Sequence, residues 1–150
     1  MLSIRHPRPT DAADIKLRAM DVREVWASSG RTPEQALQNA LQHRGKAWVV
    51  EHEGKPIAAF GVAHYDDYPW LGCPWLLASD ELEKHTQFIA RTSKRLLPEI
   101  TEGLDLLINY VHQDNTKSIQ WLEWLGFSMG GRSVRGGEPF IEFTMEKDRV

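Results

Sequence analysis

Residues 115–127 read Asn-Thr-Lys-Ser-Ile-Gln-Trp-Leu-Glu-Trp-Leu-Gly-Phe and follow closely on the mostly apolar run Leu104 to Val111. Leu106, Ile108, Tyr110 and Val111 suit a strand, because β-branched and aromatic side chains pack well on a pleated surface. Asp114 or Asn115 offers a side-chain oxygen to the free N–H groups of a helix start, and Gly126 supplies the left-handed residue that ends one. At about 100° per residue, Ser118, Ile119, Trp121, Leu122 and Leu125 share one arc, with Gln120 and Glu123 opposite and Trp124 at the edge. The stretch is strand, amphipathic helix and stop in sequence.

Working outward, Leu2 to Arg5 reads as a short strand. Thr10, Asp11 and Asp14 open a helix on which Ile15, Ala19, Val22, Val25 and Trp26 recur at helical spacing until Ser28-Ser29-Gly30. Thr32-Pro33-Glu34-Gln35 is a capping box before a second helix. Ala47 to Glu51 and Ile57 to His64 predict an antiparallel hairpin. Trp70 to Leu77 is a further strand candidate interrupted by Gly72 and Pro74, which predicts a bulge or an edge position. Asp80-x-x-Glu83 is a capping pair for a helix through about Leu97. Ser128 to Arg135 and Pro139 to Met145 are the last strands, with Gly130-Gly131 and Gly136-Gly137 as turn signals. The order β-α-α-β-β-β-α-β-α-β-β predicts an α+β fold, a mixed central sheet of about seven strands with four helices.

A chain of 150 residues is expected to be one domain, 1–150, able to bury roughly 70% of the surface its unfolded form exposes. The net charge of −3 gives no general pull toward nucleic acid or anionic membrane. Cys73 is the only cysteine, so an intrachain disulfide is excluded and a reducing cytoplasm is the natural setting. The six histidines show neither H-x-x-x-H nor H-E-x-x-H spacing, so no metal site is expected. The uncharged stretches 56–65 and 68–79 are too short to span a bilayer, and the N-terminus lacks a signal-like apolar core.

The order of elements, with N-x-x-S-x-x-W-L-x-x-L-G-F after a strand, resembles the GNAT superfamily of N-acetyltransferases. The resemblance implies acetyl-CoA as cofactor, its pyrophosphate held on backbone N–H groups of a glycine-containing loop at a helix start. The matching positions are Leu77 and Ser79 in the loop Leu77-Ala78-Ser79-Asp80-Glu81, and Asn115 and Ser118 on the last helix. That loop lacks an arginine or glutamine followed by spaced glycines, and Asp80, Glu81 and Glu83 set carboxylates where phosphates would lie. Like charges a few ångströms apart cost on the order of 1 to 4 kcal/mol, whereas the same carboxylates favour a helix N-terminus. The tyrosine that active members carry seven positions after the helix-opening asparagine is Leu122 here.

More narrowly, several features look like the GNAT-like proteins of short-tailed phages, some of them internal virion or morphogenesis proteins. These are Asp21 and Glu24 before Ser29-Gly30, Pro74-Trp75-Leu76-Leu77, the helix with His85, Phe88, Arg91 and Ser93, and Trp121-Leu122 with Trp124-Leu125. That resemblance implies a chain in the host cytoplasm, or incorporated in the virion, that requires no cofactor and contacts virion or host proteins; a homo-oligomer is compatible with it. The rival expectation is a divergent acetyl-CoA-dependent N-acetyltransferase acting on an amine of a protein or small molecule.

Catalytic candidates are His64 and Asp66, after the third strand, and His112, beside Asp114 at the helix start. A polar turn explains the first two and a capping turn the third. Asn115 serves equally as a cap and Ser118 as a small packing residue. Cys73 has no histidine at a spacing that would activate it. Arg91, Lys94 and Arg95 on one helix side, and Arg132 and Arg135 in the late strand pair, read as solvated surface.

Overall fold

The computed structural model describes residues 1–147, so the end of the expected 1–150 domain lies outside the described residues. The elements run β1 (Leu2–Arg5), α1 (Asp11–Asp14), α2 (Ala19–Ser29), α3 (Pro33–Gln42), β2 (Gly45–His52), β3 (Lys55–Tyr65) and β4 (Tyr68–Ala78). A 3-10 helix, Asp80–His85, then leads into α4 (Thr86–Thr101), β5 (Leu106–His112), α5 (Thr116–Leu125), β6 (Ser128–Arg135) and β7 (Glu138–Glu146). The strands form one mixed sheet in the order β1-β2-β3-β4-β5-β7-β6, antiparallel at every pair except the parallel β4–β5. The seven-stranded α+β architecture is the expected one, with five α-helices rather than four.

Side-chain alternation along β2 and β3 gives the sheet two buried faces. Trp48, Val50, Ala58 and Phe60 turn toward Ile89 and Leu97 of α4 and Leu122 and Leu125 of α5. Val49 and Ala59 turn the other way, onto Ala12, Ile15, Leu17 and Leu37. Trp48 and Phe60 are register partners and their rings stack 5.5 Å apart.

Helix α5 forms as its sequence predicts. Asn115 accepts the Ser118 N–H at 3.3 Å, and Gly126 takes φ 108° while the Phe127 N–H returns to Leu122 O. Helix α3 likewise has both halves of its capping box.

The expected first helix is two. Asp11 is drawn into pairing with the Arg5 guanidinium and the Arg8 N–H, and the chain turns extended at Ile15 so that Ile15 and Leu17 reach the core. The Arg18 N–H then bonds Ala78 O at 2.8 Å, tying this segment to the end of β4. On α2 the inward side chains are Asp21 and Val25, while Val22 and Trp26 are exposed. Asp80 and Glu83 do not cap an α-helix, because a 3-10 turn intervenes, and α4 continues through Pro98 to Thr101. Gly130-Gly131 lies within β6 at a register shift instead of forming a turn.

β4 is not at the outer edge, and the expected irregularity is a register shift against β3 beside Gly72, between His64 and Tyr65. Gly72 leaves room where β4 touches β5: a Cβ there would press on Leu104 Cδ1 at 2.5 Å and Val62 Cγ2 at 2.8 Å, and those side chains would have to shift. β4 and β5 pair at two positions, Leu71 with Leu106 and Gly72 with Leu107, and then part. Pro74 lies beyond the parting, so along this side its missing N–H removes no ladder bond.

Candidate functional site

The parting of β4 from β5 opens the sheet at its centre. Across the gap Asn109 Nδ2 donates to Pro74 O at 2.6 Å, a side-chain bond in place of a ladder. A cavity of about 230 Å³ fills the space, walled by Trp75 and Leu77 of β4, Asn109 and Val111 of β5, and Ser118, Trp121 and Leu122 of α5. Asp21, Glu24 and Ser28 of α2 face it from the other side of the sheet.

Two acids of α2, Asp21 fully buried and Glu24 half-buried, reach the two arms of the opening. Asp21 receives Arg18 Nη2 at 2.7 Å and the Ala78 N–H at 2.8 Å. Burial pushes its carboxyl up, against the pull of Arg18 and the Ala78 N–H. Glu24 receives the His112 N–H at 2.8 Å and Asn115 Nδ2 at 3.0 Å. Burial raises its pKa too, opposed mainly by the His112 N–H. An acid held above its ordinary range at a cavity wall is suited to taking up a proton.

Of the expected cofactor positions, Leu77, Asn115 and Ser118 border the cavity. Ser79 does not: its hydroxyl and its N–H both bond Ile57 O, closing the loop onto β3. The expected catalytic residues are not brought together. His64 stands away from the cavity with its N–H on Arg44 O, and burial with the Lys46 charge lowers its pKa. Asp66 is exposed and paired with Arg44. His112 is fully buried as a structural link: its Nδ1 accepts the Asp114 N–H at 3.0 Å, so Nε2 carries the proton and donates to Glu138 at 2.6 Å. That contact holds the Glu138 carboxyl below its ordinary value. Burial pushes the Cys73 thiol up, away from a nucleophile's range. Trp121 packs on the core with Nε1 on Ser93 Oγ, whereas Trp124 is exposed under Lys94.

Residues 1–128 match the acetyltransferase (GNAT) domain family. The chain belongs to the GNAT acetyltransferase domain family. Among solved structures, Ard1 from Thermoplasma volcanium superposes with a TM-score of 0.71 at 14% identity, over 97% of this chain and 97% of that one. The ribosomal-protein-S18-alanine N-acetyltransferase from Escherichia coli gives 0.68 at 17%, over 97% and 94%. Spermidine N-acetyltransferase from Vibrio cholerae, in complex with CoA and spermine, gives 0.68 at 15%, over 99% and 96%. At these identities the likeness is one of fold. No curated protein sequence matches the chain.

GNAT membership makes acetyl-CoA a plausible ligand, and at the end of β4 two of the N–H groups near its expected pyrophosphate position are already engaged. The Ala78 and Ser79 N–H groups are taken by Asp21 and Ile57. Glu83 stands 3.7 Å from Arg18 and 3.0 Å from Lys117, so the nearby cations already face a carboxylate. No helix among the described residues is long and apolar enough to cross a membrane.

Proposed function

We propose that this GNAT-fold protein works by contact with other proteins and does not run the usual acetyl-CoA reaction. The observation that carries it is the Asp21 carboxylate seated on the Ala78 N–H, at the loop where a pyrophosphate takes its donors. A phosphate there would displace a buried carboxylate that also neutralises Arg18, or lie beside it at a Coulombic disadvantage. Leu122 in place of the thiolate-protonating tyrosine agrees with this. Trp26, Trp70 and Trp124 are 66%, 46% and 51% exposed, large aromatic surfaces of the kind enriched at protein interfaces. Virion or host proteins, met in the host cytoplasm, are the partner class implied by the phage-like motifs.

Calorimetric titration of the protein with acetyl-CoA and with CoA tests this. No saturable binding is expected, and recovery of the chain in purified virions or in a stable complex with a virion protein is the positive outcome. Micromolar acetyl-CoA binding followed by acetyl transfer to an amine sinks the proposal.

A second reading rests on Glu24. Its raised pKa and its place on the cavity wall suit a general base for an amine acceptor in a divergent N-acetyltransferase. Under that reading Glu24→Gln abolishes transfer measured with a panel of amines and leaves acyl-CoA binding intact.

A further inference from the structure

The 3-10 helix after β4 carries Glu81 and His85 against His52, at the end of β2. His52 Nδ1 and His85 Nε2 each lie 3.5 Å from Glu81 Oε1, and the three ligand atoms fall within 4.8 Å of one another. A tetrahedral zinc ion bound at about 2.0–2.1 Å sets its ligands roughly 3.3 Å apart; the two edges from Glu81 are already close to that, and the two histidine nitrogens lie within 4.8 Å of each other. His85 Nε2 is buried and makes no hydrogen bond, the condition of a nitrogen that still wants a partner. Glu81 turns its other oxygen to Lys84 Nζ at 3.3 Å, which leaves Oε1 for the histidines. Glu53 Oε1 stands 3.7 Å from His52 Nε2, on the side where a metal-bound imidazole is commonly steadied by a carboxylate.

We propose that His52, Glu81 and His85 form a three-ligand site for a transition-metal dication of the zinc class, with water completing the coordination. Two imidazoles and one carboxylate select such an ion over calcium or magnesium, which prefer oxygen alone. Bound there, the ion joins the turn after β4 to the end of β2. Spacing along the chain gave no sign of it, because His52 reaches the other two only through the packing of that turn on the hairpin.

The metal-free protein titrated with zinc in a calorimeter, and with cobalt(II) by visible absorption, tests the site. One equivalent of zinc binds with a rise in Tm, and cobalt shows the d–d absorption of tetrahedral coordination and is displaced by zinc. His52→Gln and His85→Gln each weaken zinc binding by more than about tenfold, the lower end of what even outer-shell changes cost, while His43→Gln leaves it unchanged. If His85→Gln does not fold, His52→Gln, whose ring is the more exposed, decides. Absence of saturable zinc binding, or zinc binding unaltered in His52→Gln, overturns the proposal.

Discussion

Asp21 and Glu24 stand nearly one turn apart on α2 and hold opposite arms of the opened sheet. Asp21 grips the end of β4 through the Ala78 N–H; Glu24 grips the end of β5 and the start of α5 through the His112 N–H and Asn115 Nδ2. Asp21 is buried and Glu24 half-buried, and their company differs. Asp21 has the Arg18 guanidinium beside it, whereas Glu24 is bonded to neutral donors. Burial raises both carboxyls, but Asp21 is tied to a cation as part of the structure, whereas Glu24 is bonded by neutral donors alone.

The sharpest way to break this comparison is Asp21→Ala. It strands Arg18 and the Ala78 N–H in the interior, and a loss of about 3–5 kcal/mol is expected from urea unfolding. Glu24→Ala removes no charge partner of that kind and leaves two neutral donors unmet, so about 1–3 kcal/mol is expected in the same measurement. A larger loss for Glu24→Ala than for Asp21→Ala would reverse the assignment of roles. A double-mutant cycle sharpens it further: Glu24→Ala with Asn115→Ala shows coupling of at least about 0.5 kcal/mol, and Asp21→Ala with Asn115→Ala adds within about 0.5 kcal/mol.

The smallest effect is in pH dependence. Because the folded pKa of Glu24 lies above its ordinary 4.5, the folded state binds the proton more tightly than the unfolded one. Between those two values this residue therefore stabilises the fold as pH falls, and its contribution shrinks as pH rises. Tm followed against pH is expected to lose that part of its slope in Glu24→Gln. Glu138 and Asp11, shifted the opposite way, act in both proteins and cancel in the difference, whereas Asp21, whose charge helps raise Glu24, is coupled to it and cancels only in part.

How legible each part was follows from how local its causes are. Helix α5 is specified by Asn115, its apolar arc and Gly126, all within one short stretch, and α3 by a four-residue box. Those elements, and the hairpin of β2 and β3, were readable. The candidate site was not, since Asp21 meets Ala78 across 57 positions and Glu24 meets Asn115 across 91. Asp21 and Glu24 were visible as part of a phage-like motif, but periodicity assigned the inner face of their helix to Val22, Val25 and Trp26, of which only Val25 is buried. Only the extended segment Ile15 to Arg18, which docks on the end of β4, turns the helix so that its acids point inward. A pair of acids three residues apart, just ahead of Val25, was the available signal. His64 and Asp66 were chosen for chemical type, and the bulged β3–β4 turn carries them away from the opening.

Gly72 has one more consequence. It permits β4 and β5 to touch, yet the contact is two rungs long, so the sheet is in effect two plates, β1–β4 and β5–β7, joined by a short seam. Tension applied across the outermost strands concentrates on that seam and on the α2 side chains that rivet it. Helices α4 and α5, which share one core with strands of both plates, brace it from one face.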